Sequence, residues 1–79
     1  MKRQLKLSFR GPKIKRPLIY EVGHKFKIIT SIRQADVDTD GGWVILELEG
    51  EKAQIEQSIK WMEKEGVGVF PVAGDVVEG

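Results

Sequence analysis

The stretch Asp38-Thr39-Asp40-Gly41-Gly42-Trp43-Val44-Ile45-Leu46-Glu47-Leu48-Glu49-Gly50 decides how this chain folds. Its aspartate-rich opening and paired glycines are a hairpin signal. Val44, Leu46 and Leu48 then alternate with Trp43, Ile45, Glu47 and Glu49. That period of two is a strand with one buried face, and Gly50 breaks it. Upstream, Lys27–Val37 is rich in Ile, Thr and Val and forms the other arm of the hairpin. Strict alternation gives it two sides: Ile28, Thr30, Ile32 on one, and Ile29, Ser31, Arg33, Ala35, Val37 on the other.

Working outward, Glu51–Glu65 predicts a helix with acids in its first turn, an Ile55, Ile59, Met62 stripe and Gly66 as its stop. Val67–Val72 predicts a short fourth strand, which Pro71 confines to a sheet edge. At the other end, Gln4–Arg10 alternates Leu5, Leu7, Phe9 with Lys6, Ser8, Arg10, another half-buried strand closed by Gly11-Pro12. Pro17 opens a helix of about ten residues carrying Leu18, Ile19, Val22 and Phe26 at helical spacing. The order is βαββαβ. Right-handed crossovers fold that order into an α+β, ferredoxin-like split sandwich, a four-stranded antiparallel sheet with two helices on one face. One domain covers 1–79, with its core over about 4–72 and a short tail at 73–79.

With 79 residues and 41% apolar content, the chain has the composition of one small globular domain. So short a chain buries a modest core, and pairing with a second copy is a natural way to bury more. No cysteine is present, which removes disulfide, zinc–thiolate and iron–sulfur chemistry, and no cofactor is expected. No apolar run reaches the ~18 residues that span a bilayer. Basic Met1–Arg3 gives way to alternation, not to a signal-peptide core, so cytoplasmic residence without membrane insertion is the expectation.

Net charge is +1, but residues 1–33 carry ten Lys/Arg against Glu21 alone, and residues 34–79 carry three Lys against eleven acids. Neighbouring strands explain much of this split: Lys6 and Arg10 are expected beside Glu47 and Glu49. The basic loop of Arg10, Lys13, Lys15 and Arg16 reads as solvated. Only Trp43 supplies an aromatic to the outward faces of the first and third strands, too few for base stacking, so no nucleic-acid partner is expected. Trp43, Ile45, Ile29, Ala35 and Val37 read as an apolar patch, with Ile29, Trp43 and Ile45 as the dimer contact. Trp61, out of phase with Ile55 and Ile59, suits either the core's flank or that contact.

Enzyme signatures are lacking: His24 is the sole histidine, and a surface helix position is its expected place. The chain is therefore read as non-catalytic. Asp36, Asp38, Asp40, Gly41 and Glu47 match the calcium-loop spacing, but a hairpin cannot wrap the ion as a helix–loop–helix does. No metal is assigned to it.

The hairpin into Gly42–Gly50, followed by Ile55, Ile59-Lys60-Trp61-Met62 and Gly66-Val67, resembles the NIL domain, from Leu5 to about Val72. That ACT-like, ferredoxin-like module regulates the ATPase subunit of bacterial methionine importers, and also occurs alone or beside iron–sulfur ferredoxin domains. The tail from Gly74 to Gly79 is more similar to the free-standing and ferredoxin-linked members. The resemblance implies a homodimer that binds an amino acid such as methionine at the contact between copies. It implies Ser31 at the position of the motif's Asn, and Val37 and Val44 as apolar positions around the ligand. Ser-Ile-Arg stands at 31–33 where the motif reads Asn-Ile-Leu, so Arg33 adds a cation suited to a carboxylate. The alternative is a ligand-free module serving a ferredoxin-type, enzyme or transporter partner in sulfur or methionine metabolism.

Calcium calorimetry is expected to show no micromolar site. A micromolar Kd lost in Asp38→Asn would overturn the hairpin reading.

Overall fold

The computed structural model describes residues 1–11 and 16–77, with side chains to residue 72 and not beyond. Lys13 and Lys15 of the basic loop lie outside the described residues. The elements run β1 (Lys2–Arg10), α1 (Leu18–Lys25), β2 (Ile28–Asp38), β3 (Gly41–Gly50), α2 (Lys52–Lys64) and β4 (Gly68–Val77). They form one antiparallel sheet in the order β2-β3-β1-β4, so β1 and β3 are the central pair and Pro71 lies in an edge strand. This is the expected α+β split sandwich.

Leu5 faces Leu46 and Leu7 faces Val44 across the central pair. Those side chains, with Phe9 and Leu48, are buried against Leu18 and Val22 of α1 and Ile55 and Met62 of α2. Central-strand apolar alternation and the two helical stripes therefore meet in one core. β4 runs to Val77, where the sequence suggested a tail from residue 73, because the start of β1 pairs with it: Lys2 opposite Val77 and Arg3 opposite Val76. An irregularity between Arg3 and Leu5 separates that pairing from the Leu5–Pro71 register.

Helix α2 has no acid in its first turn, since Glu51 stands one place earlier as the N-cap, with no side-chain capping bond. Its far end is firmly closed. The Gly66 N–H donates to the Glu63 carbonyl at 3.0 Å and the Val67 N–H to that of Met62 at 3.1 Å. With Gly66 at φ +90°, this is the paired C-terminal bond of a Schellman turn. Val67 and Met62 are both buried, which adds the apolar contact that such turns favour.

Two expectations from alternation fail. The register passes from Ile32 opposite Leu46 to Gln34 opposite Ile45, so Arg33 is the extra residue of a β-bulge. Ser31, opposite Glu47, keeps to the open face of the sheet. Beyond the bulge the faces exchange: Ala35 lies opposite Val44 and Val37 opposite Gly42, on the helix side. Ala35 and Val37 thus leave the expected patch, and Ser31 and Arg33 no longer share a face by alternation. The charged side chains also pair differently from expectation. Lys6 faces Ile45, and it is Gln4 that faces Glu47, its Nε2 donating to Oε1 at 3.4 Å. The Lys6 ammonium sits instead 5.2 Å from the centre of the Trp43 ring.

Close strand approach at the hairpin requires Gly42. A Cβ there would lie 2.3 Å from the Asp36 carbonyl oxygen and 2.6 Å from the Val37 Cα. Gly23 in α1 is different, since a Cβ would meet only Thr30 side-chain atoms at 3.7 Å. In denaturant melts Gly42→Ala is expected to destabilise by roughly 2 kcal/mol or more, through forced backbone movement. Gly23→Ala should stabilise by about 0.5–1 kcal/mol, the difference in helix propensity. Equal signs would contradict the packing described.

Candidate functional site

The bulge at Arg33 brings Val37 to the helix side, where it joins Val44 in a cleft of about 190 Å³. Phe9, Pro17, Leu18, Ile19, Tyr20 and Arg16 complete its lining. Val44 forms the floor at 4% exposure, while Val37 and Tyr20 form the rim at 50% and 64%. The cleft exists because Gly42, in the row between Phe9 and Val37, contributes no side chain to fill it. Its apolar walls suit a small aliphatic or thioether group.

Ser31 and Arg33 stand elsewhere. Ser31 is half-buried on the open face and Arg33 is exposed at the bulge. Ser31 and Val37 are six positions apart along the strand, a span on the order of 20 Å. Within one chain, then, the four expected ligand residues form one pair in the cleft and two others along β2. Tyr20 and Phe9 were missed from sequence. An exposed aromatic one turn after Pro17 was the available signal for Tyr20, but it needed the bulge to acquire Val37 as a neighbour.

Of the expected dimer residues, Ile29, Trp43 and Ile45 do share the open face, with Ile29 65% exposed. Phe70, opposite Lys6 and 52% exposed, adds an aromatic that the sequence reading overlooked. Trp61 flanks the core, with Phe26 edge-on at 6.2 Å. His24 is exposed on α1 and stacks on Tyr20, ring centres 4.2 Å apart.

At the cleft's mouth, Arg16 ties the chain before α1 to both helices. Its Nε and Nη2 donate to the Glu21 carboxylate at 2.8 and 2.9 Å, and its Nη1 to Glu65 at 2.5 Å. The guanidinium also lies 5.6 Å from the centre of the Trp61 ring. These hydrogen bonds hold the Glu21 carboxyl below its ordinary range and raise the guanidinium's already high pKa.

The geometry defines a ferredoxin-like domain with an apolar cleft at the start of α1. The chain belongs to the NIL domain family, whose model matches residues 3–70. In structure it is similar to the C-terminal domain of an ABC transporter ATP-binding protein from Enterococcus faecalis. The TM-score is 0.78 at 20% identity, over 91% of this chain and 84% of that one. Comparison with curated proteins gives no match. No helix among the described residues is long and apolar enough to cross a membrane.

Because Glu21's folded-state pKa is depressed, its contribution to stability is present above the unfolded value and lost as pH falls through the folded one. Melting temperature should therefore drop between pH 6 and pH 3 by less in Arg16→Gln than in wild type. Parallel profiles would show that the ion pairs contribute nothing to acid sensitivity.

Proposed function

We propose that this domain is a non-catalytic, homodimeric sensing module that binds an amino-acid-like ligand, with methionine the first candidate. The observation that carries this reading is the meeting of Val37 and Val44 in an apolar cleft beside Tyr20. The cleft takes the ligand's apolar side chain. A second copy joined along the exposed edge strand β2, which also carries Val37 at the cleft's rim, brings its Ser31 and Arg33 to the ligand's polar end. The open-face residues Ile29, Trp43 and Ile45 contribute the apolar part of the contact between copies. The structural likeness to a transporter ATP-binding protein's C-terminal domain supports a regulatory role, with a transporter ATPase as the corresponding partner class.

A second reading is favoured by β2, which is exposed from Ile29 to Asp38 apart from partial cover at Thr30 and Ser31. An edge with Ile29 and Ile32 uncovered offers a docking surface to a ferredoxin-type or enzyme partner of sulfur metabolism, with no ligand involved.

A thermal-shift panel of amino acids and sulfur metabolites separates the two. A specific ligand at 100 times its Kd adds about 2.7 kcal/mol of stability. Methionine is expected to shift the wild type and to leave Val37→Asp unmoved. Arg33→Ala should weaken binding by about 1.5–3 kcal/mol and Ser31→Ala by nearer 1 kcal/mol. Sedimentation at tens of micromolar should show twice the monomer mass, weakened more by Trp43→Lys than by Trp61→Gln. An inert panel would favour the partner-protein reading.

A further inference from the structure

On the open face, at the hairpin end, a shallow groove of about 420 Å³ runs across three strands. One bank is basic and belongs to β1: Lys6, Ser8 and Arg10. The other is acidic and belongs to β2 and the turn: Asp36, Asp38 and Asp40. Between them, β3 presents Gly41, Gly42 and Trp43. In register, Asp38, Gly41 and Arg10 form one row across the sheet, and Asp36, Trp43 and Ser8 form the next. Two strand spacings hold the banks about 10 Å apart at the backbone, and Gly41 leaves the first row without a side chain in the middle.

Among the described residues, no ion pair joins the two banks; the ion pairs are Arg16–Glu21 and Arg16–Glu65, neither in the groove. Asp38 is nevertheless held in place, since one of its carboxylate oxygens accepts the Asp40 backbone N–H at 2.8 Å. Lys6 is fixed over the Trp43 ring, and that ring supplies an apolar floor.

We infer that this groove binds a small amphoteric molecule that carries an anionic group at one end and a cationic group at the other, joined by an aliphatic chain. The anion meets Arg10, the Ser8 hydroxyl and Lys6; the cation meets Asp36 and Asp38; the chain crosses Gly41 and lies against Trp43. A basic amino acid such as lysine has this form. An α-amino acid without a second charge is too short to reach both banks. This site is independent of the cleft, which lies on the opposite face. Trp43 also belongs to the proposed contact between copies, so the groove is open in the single chain and lysine bound there competes with pairing through Trp43.

Trp43 is its natural reporter, because Trp61→Phe leaves Trp43 as the chain's single tryptophan. In that variant L-lysine should change Trp43 fluorescence saturably. Norleucine, which lacks the side-chain ammonium, and 1,5-diaminopentane, which lacks the carboxylate, should each bind at least about tenfold more weakly. Arg10→Gln and Asp38→Asn should each weaken lysine by a similar factor. Amide shifts of Gly41 and Gly42 in the unmodified protein give the same titration if Trp61→Phe fails to fold. Sedimentation of the same samples reads pairing separately, and Val37→Asp should retain lysine binding. Equal responses to lysine and norleucine, or no saturable response at 10 mM lysine, would overturn the inference.

Discussion

The pairing of β1 with β3 is the constraint on which everything else rests. Leu5 against Leu46 and Leu7 against Val44 place the apolar sides of both central strands on one face. A slip of one residue would turn the whole set to water, so the register is strongly specified. Helices α1 and α2 then have a single surface on which to bury Leu18, Val22, Ile55 and Met62. The Schellman turn at Gly66 sends the chain back along β1 as β4, and the opposite edge falls to β2.

That edge is where the sheet acquires its particular character. An edge strand is paired on one side only, so it can absorb an extra residue without disturbing the central register. The extra residue is Arg33. By exchanging the faces of residues 34–38, it carries Val37 to the helix side and Asp36 to the open side. One insertion thus shapes two features: the apolar cleft beside Tyr20 and the acidic bank of the open groove. Gly41 and Gly42 complete the arrangement, the first by leaving the groove's floor bare and the second by leaving the cleft unfilled.

The charge asymmetry of the chain has a more local explanation than its halves suggest. Strand β1 contributes bases and β2 and β3 contribute acids, but register decides which of them touch. Glu47 meets the amide of Gln4, Lys6 meets the Trp43 ring, and Arg16 collects two glutamates from different helices. Arg16 lies in no regular element, and its partners Glu21 and Glu65 are 44 positions apart in the chain. Composition alone could not have paired them.

The six elements, their order, the antiparallel topology and the buried faces of the central strands were legible in the chain's residues. Each is written in local periodicity: twos in Leu5–Phe9 and Val44–Leu48, helical spacing in Leu18–Val22 and Ile55–Met62. Family resemblance, not periodicity, implied Val37 and Val44 as neighbours around a ligand. Tertiary structure alone decided that these two meet while Ser31 and Arg33 stand apart, because a bulge leaves no periodic trace and alternation carried past it assigns every later residue to the wrong face. It likewise decided that β4 continues past Val72, since Gly74 and Asp75 carry no strand signal and the pairing comes from Lys2 and Arg3 on the neighbouring strand. Periodicity reports how a segment relates to its own neighbours in sequence; register between strands is a relation between distant segments, and only the folded sheet fixes it.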